Sequence, residues 1–186
     1  SRDEGVLSDQ IMHLRDEILR EHSRRQMLKA VNYVGLDKER FAELMRLFLS
    51  QEYRVVQRSP WAVSNVIERE PKLIAPYFKG IVEMLEDETA HASVHRNILR
   101  LLQTAPIPAK YEGKLYDICL SKIDDLSAPT AVRAFAIEVA ARIAKGEPEL
   151  LAEIRLVTNR HLKDAKAAIK AKARNVLKIA AARDED

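Results

Sequence analysis

The chain has 186 residues, of which 47% are hydrophobic and 32% are charged, and its formal net charge is +3. This balance is typical of a globular chain, and the length predicts one domain, residues 1–186, with flexible ends at 1–7 and 183–186. One cysteine, Cys119, excludes a disulfide framework, and no apolar run is long enough to span a membrane, so we expect a cytoplasmic protein without a membrane partner.

Apolar residues recur at three- and four-residue spacing along the chain, which predicts helices and excludes a sheet protein. Asp37 and Ser127 are predicted N-caps, and Pro60 is expected to kink its helix or to mark its start. The predicted helices span residues 8–34 (with a break allowed at 21–24), 38–51, 54–69, 71–86, 91–104, 111–124, 129–145, 148–161 and 164–182. The predicted fold class is therefore all-α.

An internal repeat is visible in the sequence. Residues 70–75 (EPKLIA) match residues 147–152 (EPELLA) at an offset of 77, which is two units of about 38 residues. Apolar positions of the preceding helices align at spacings of 35, 38 and 37 through Val63, Ile98, Ala136 and Ala173. The sequence thus predicts a pair of helices, A and B, repeated along the chain so that neighbouring pairs share one core.

The period, the two-helix unit and the proline that begins helix A resemble HEAT-like repeats. More narrowly, residues 54–180 resemble small bacterial HEAT-like proteins, in the helix that leads from Trp61 to the turn at 71–74 and in a basic last helix at 169–178. The resemblance implies a right-handed α-α superhelix of about four helix pairs with an N-terminal cap helix. Some relatives carry an adenylosuccinate lyase-type label, but the Ser-Ser-x-Met-Pro loop of that family is absent here, and we predict no enzyme.

The basic residues are unevenly distributed. Residues 160–183 carry eight Lys or Arg and one acid, whereas the remainder carries 23 basic and 27 acidic residues. The resemblance implies that the B helices line a concave face, and basic residues concentrate on the predicted B helices. A column of cations there would attract an acidic surface or phosphates, although exposed charge is also the default for these residue types. The predicted binding residues are Arg58, Trp61, Arg96, Arg100, Arg133, Lys170 and Arg174.

Three further patterns bear on possible chemical sites. His91 and His95 share one helical face, which can hold a metal with Glu88 as a further ligand. They lack the glutamate of a His-Glu-x-x-His motif and a third histidine nearby in sequence, and no metal is expected. Cys119 lies in an apolar stripe and is predicted to be a buried thiol rather than a nucleophile. The five scattered glycines exclude a P-loop and a Rossmann fingerprint, so no cofactor is expected.

The sequence therefore predicts a non-catalytic interaction module that binds a protein partner or its acidic segment through a basic concave face. The alternative is nucleic-acid binding related to DNA alkylation repair, because HEAT-like glycosylases use aromatic and acidic residues in a basic groove. Trp61 is interpreted as packing between helices, with stacking on a base as the alternative. The oligomeric state stays open.

Overall fold

A computed structural model describes residues 13–160 and 167–182, in which ten α-helices and one 3-10 helix occur and no strand. The α-helices are α1 (Leu14–Arg20), α2 (Arg24–Val34), α3 (Lys38–Phe48), α4 (Tyr53–Arg69), α5 (Phe78–Glu86), α6 (Ala92–Leu101), α7 (Ala109–Asp124), α8 (Thr130–Ile143), α9 (Pro148–Arg160) and α10 (Ala167–Ala182). The predicted all-α class is confirmed. The chain ends that were expected to be flexible lie outside the described residues.

Side-chain caps set several helix boundaries. Asp37 Oδ1 accepts hydrogen bonds from the backbone N–H groups of Glu39 and Arg40, each at 2.9 Å, which confirms the predicted N-cap of α3. The predicted N-cap at Ser127 is wrong. Its N–H and its hydroxyl both donate to Asp125 Oδ1, at 2.9 and 2.6 Å, so Ser127 belongs to an aspartate-stabilised turn before α8.

Two predicted helical segments each consist of two helices. The segment 8–34 divides at the break that the sequence allowed, because Ser23 starts α2 by accepting the N–H of Gln26 at 3.2 Å. The segment 71–86 starts as a 3-10 helix, Pro71–Tyr77, which continues directly into α5. Pro76 lies inside that 3-10 helix and has no N–H to give to an α-helical ladder.

The helices form two layers. Layer A contains α1, α3, the 3-10 helix with α5, α7 and α9, and layer B contains α2, α4, α6, α8 and α10, each helix packing against the next of its layer. The N-terminal cap is therefore not one helix, since α1 and α2 form a pair of their own that packs on α4. This stacking of helix pairs is a helical solenoid, as the repeat predicts.

Hydrogen bonds between consecutive pairs show the repeat period directly. Arg58 Nη1 donates to Leu19 O at 2.7 Å, across 39 residues, and Asn97 Nδ2 donates to Val56 O at 2.7 Å, across 41 residues. Arg142 Nη1 donates to Leu102 O at 2.7 Å, across 40 residues. In each case a side chain of one B helix donates a hydrogen bond to a backbone carbonyl of the preceding helix pair, about one repeat period earlier in the sequence.

The shared core runs between the two layers. Its largest fully buried side chains include Phe41, Phe48 and Phe78. Cys119 is fully buried, as predicted, and burial raises the pKa of its thiol to about 12, which suits packing rather than nucleophilic attack. Among the described helices, none is long and apolar enough to cross a lipid bilayer.

Candidate functional site

An open groove of about 650 Å³ runs across three consecutive helices of layer B. Helices α4 and α6 supply most of its walls, and α8 adds one aromatic ring. We call it the arginine groove, and its lining residues are His22, Gln57, Pro60, Trp61, Ser64, Asn65, Glu68, Arg96, Asn97, Arg100, Leu101 and Phe135. Three of the predicted binding residues meet here, namely Trp61, Arg96 and Arg100.

The repeat register explains why these three residues meet. The spacing of 35 that relates Val63 to Ile98 also relates Trp61 to Arg96. The two side chains therefore occupy equivalent positions on neighbouring parallel elements, and positions four residues later fall on the same helical face. Arg100 accordingly lies one turn after Arg96, opposite its equivalent, Asn65.

Trp61 supplies the apolar part of the groove. Trp61 is 39% exposed, and its ring centroid lies 6.0 Å from that of His22. Asn65 Nδ2 donates to the backbone oxygen of Trp61 at 3.0 Å. The indole thus keeps an accessible face, beside polar groups that can orient a ligand.

The guanidinium groups of Arg96 and Arg100 make the groove basic. Arg96 is half-buried and Arg100 is exposed. Within residues 13–160 and 167–182, neither guanidinium has a hydrogen-bond or ion-pair partner. The acid among the lining residues is Glu68, on the neighbouring helix. Two positive charges therefore line the groove without an ion-pair partner among the described residues, an arrangement that attracts an anion.

Two cations that were predicted for this face have structural roles instead. Arg58 is half-buried, and its Nη1 donates to Leu19 O at 2.7 Å and to Ile18 O at 3.3 Å, which satisfies the carbonyl end of α1. Arg133 is 6% exposed, and its Nε donates to Ile123 O at 3.1 Å, at the carbonyl end of α7. Neither residue lines the arginine groove.

A one-residue difference in register explains why the side chain of Arg133 does not enter the arginine groove as that of Arg96 does. The apolar positions of α6 and α8 align at a spacing of 38, as from Val94 to Val132, whereas Arg96 and Arg133 are 37 residues apart. One residue is about 100° of helix rotation. Arg133 is therefore the equivalent of His95, and both side chains bond to the end of the preceding A helix.

The predicted residues of the last helix form a separate surface. Lys170 is half-buried and Arg174 is exposed, with Arg174 Nε donating to Lys170 O at 3.3 Å along α10. Neither lines the arginine groove, which ends at α8. Part of the basic segment 160–183, residues 161–166 and 183, lies outside the described residues.

The two histidines considered for a metal site serve different contacts. His91 caps α6, with Nδ1 accepting the N–H of Ser93 at 3.1 Å. His95 is buried, its Nε2 donates to Met84 O at 2.8 Å, and Lys122 Nζ donates to its Nδ1 at 3.3 Å. The ring nitrogens of His95 are thus both engaged. Across the described part of the chain, no group of three His, Cys, Asp or Glu could hold a metal ion.

Sequence reasoning missed the polar lining of the groove, in particular Asn65, Gln57 and Ser64 on α4. Asn65 could have been found from the same register that pairs Trp61 with Arg96. Phe135 could be found from the same kind of register, because the spacing of 38 makes it the equivalent of Asn97, which also lines the groove.

A family model of the HEAT repeat domain matches residues 14–180, which is most of the chain. No curated protein and no solved structure shows significant similarity to the chain. HEAT repeat domains are generally protein-interaction modules and are typically non-catalytic. With the family match, the repeat period and the two-layered helix pairs in agreement, the chain belongs to the HEAT repeat domain family.

Proposed function

We propose that this protein is a non-catalytic interaction module that binds an acidic segment of a protein partner in the arginine groove. One observation carries the proposal. Arg96 and Arg100 enter the groove without a partner in the described part of the chain, whereas Arg58, Arg133 and Arg142 donate to backbone carbonyls. The guanidinium groups of Arg96 and Arg100, which make no contact of this kind, are available to bind a ligand.

The chemistry of the two arginines favours carboxylates. Each guanidinium presents donors in a planar fork that matches a carboxylate in a bidentate geometry. Arg96 is half-buried, so its pairing is screened less by salt than that of a fully exposed side chain. The pair of cations contributes mainly to the rate of association and to the choice of partner, while Trp61 contributes apolar contact area.

The polar residues of the groove support a non-catalytic role. His22, Ser64 and Glu68 all line the groove, and they are the residue types of a hydrolytic triad. Among the hydrogen bonds of the described residues, however, none joins any two of these three side chains. A nucleophile without a base in contact, in an open groove, favours binding over acyl transfer.

Nucleic acid is the competing ligand, and the observations favour it less. Non-specific binding to a duplex rests on many phosphate contacts, typically six to ten or more in strong binders. Two of the predicted phosphate-binding cations, Arg58 and Arg133, are committed to backbone carbonyls, so the groove offers two arginines beside Glu68.

Fluorescence distinguishes these ligands, because Trp61 is the only tryptophan of the chain and lies in the groove. The protein is titrated with a glutamate-rich peptide, its glutamine-substituted counterpart, and single- and double-stranded DNA. Of these ligands, we expect only the acidic peptide to shift the Trp61 emission in a saturable way. Added salt should weaken the binding of this peptide. Tighter binding of DNA than of the acidic peptide, or equal binding of the two peptides, would contradict the proposal.

A further inference from the structure

The repeat fixes a distance between the apolar and the basic parts of the arginine groove. Trp61 and Arg96 occupy equivalent positions on α4 and α6, which pack side by side in layer B. Helices in contact lie about 8–10 Å apart, so the two side chains start from points separated by about that distance. A ligand that uses both residues must place two different groups at this spacing.

An extended peptide that crosses the two helices has two regular ways to do so. In a polyproline II helix, residues i and i+3 lie on the same side, and at a rise of about 3.1 Å per residue they are about 9 Å apart. In a β-strand, same-side residues i and i+2 are about 7 Å apart and i and i+4 about 13 Å apart. The polyproline II spacing of three residues matches the spacing of the helices best.

We infer that the arginine groove recognises an acidic segment in the polyproline II conformation, with an apolar side chain on Trp61 and, three residues away, a carboxylate bound by Arg96 and Arg100. This inference rests on the proposed function and specifies its ligand. The pattern is defined by one exposed indole and, one helix away, two guanidinium groups that have no partner among residues 13–160 and 167–182.

Two polar residues of α4 further restrict which ligand groups fit the groove. Glu68 lies on the same helix as Trp61 and lines the groove, so it repels a carboxylate placed on the α4 side and favours an apolar residue there. Asn65 uses its Nδ2 to bond Trp61 O, which leaves Oδ1 as an acceptor. A polyproline II segment has backbone N–H groups without internal partners, and Asn65 can accept one of them.

A peptide series tests the spacing. Fluorescein-labelled peptides with a neutral, proline-rich sequence carry one leucine and one glutamate. The second of these residues follows the first at position i+2, i+3 or i+4, which we call separations of two, three and four, and each peptide is made in both chain orders. In one of the two chain orders, we expect the peptide with a separation of three to bind about tenfold more tightly than the peptides with separations of two or four. Only this spacing places the leucine on the indole while the arginines bind the glutamate. Anisotropy reports affinity without relying on Trp61 emission.

Two variants separate this inference from the proposed function. In Trp61→Ala, the peptides with separations of two, three and four should bind alike and weakly, while in Arg96→Gln with Arg100→Gln none should bind. If the intact protein binds all spacings alike but still requires the arginines, the polyproline II inference is overturned and the proposed function stands. If it binds none of the acidic peptides, the proposed function itself fails. Circular dichroism melts confirm that each variant is folded.

Discussion

The side chain of Asn97 supplies the hydrogen bond that Pro60 cannot make. Pro60 lies inside α4 and has no N–H for the carbonyl of Val56, four residues earlier. Asn97 is 6% exposed, and its Nδ2 donates to that carbonyl at 2.7 Å from the neighbouring helix. Because α4 runs through Pro60, the proline does not mark the start of the helix, and the Asn97–Val56 contact joins α4 to α6 beneath the arginine groove.

The Asn97–Val56 contact predicts a coupled pair of substitutions. Asn97→Ala leaves a buried carbonyl without a donor and should lower the free energy of unfolding by about 1–3 kcal/mol. In the Pro60→Ala background, the restored backbone N–H can reach Val56 O. The cost of Asn97→Ala should therefore be smaller there by about 1 kcal/mol.

Urea unfolding of the four proteins of this cycle gives the coupling energy. Asn159→Ala is the matched control, since Asn159 is exposed at the end of α9. A cost of Asn97→Ala that is the same in the original chain and in the Pro60→Ala background would show that the amide does not compensate for the proline.

A second prediction separates structural arginines from binding arginines. Arg133→Met removes a buried donor to Ile123 O and should lower the free energy of unfolding by about 1–2 kcal/mol without changing peptide affinity. Arg96→Met should change stability by less than about 0.5 kcal/mol and weaken binding of the acidic peptide. Unfolding and binding titrations of both variants check this, and loss of affinity in Arg133→Met would place Arg133 in the ligand surface after all.

The buried contact between His95 and Lys122 predicts how stability depends on pH. Burial, and then the charge of Lys122, lower the pKa of His95 below its ordinary 6.5, while Met84 O and Asp87 act in the opposite direction. The unfolded chain therefore takes up this proton first as the pH falls. The contribution of His95 to stability should be fully present above pH 6.5 and should decline as the pH falls below it.

Urea unfolding between pH 7.5 and 5.5 measures this decline. His95→Gln should flatten the profile in this window, and Lys122→Gln should flatten it partly, because the like charge is removed while the burial remains. The carboxyl groups of Asp87 and Asp125 have lowered pKa values from ordinary values of 3.8 and contribute only at more acidic pH. An unchanged slope in His95→Gln would assign the pH dependence elsewhere.

Two glycines should respond oppositely to alanine. Gly146 ends the turn after α8 with φ +81°, a conformation that alanine adopts only with strain, so Gly146→Ala should destabilise the protein by about 1 kcal/mol. Gly80 lies on an exposed face of α5, with nothing within 4 Å of an added Cβ, so Gly80→Ala should stabilise it by up to about 1 kcal/mol. Thermal melts compare the two, and a shift of the same sign in both would contradict this reasoning.

The sequence was sufficient for the all-α class and for the register that joins Trp61 to Arg96. It also contained the signal that sets Arg133 apart, since its spacing from Arg96 is one residue short of the apolar spacing, and one residue turns a side chain by about 100°. Apolar periodicity could thus have predicted an inward direction for Arg133.

The role of Arg58 could not have been predicted in the same way. It bonds to the carbonyl end of α1, and that end exists only because the segment 8–34 divides at residues 21–23. The sequence allowed the break without requiring it. The bond between Asn97 and Val56 likewise depends on the alignment of two helices, which a pattern within one helix does not determine.

Binding in the arginine groove is tested most directly by the affinity of the glutamate-rich peptide for Arg96→Glu with Arg100→Glu, compared with Arg174→Glu with Lys178→Glu. Both double variants change the net charge by the same amount, but the second pair lies on α10, outside the groove. We expect the first variant to lose binding at least about tenfold while the second retains most of it, because contact charges act locally. Equal losses in the two variants would show that only overall charge matters, and would contradict a binding site in the arginine groove.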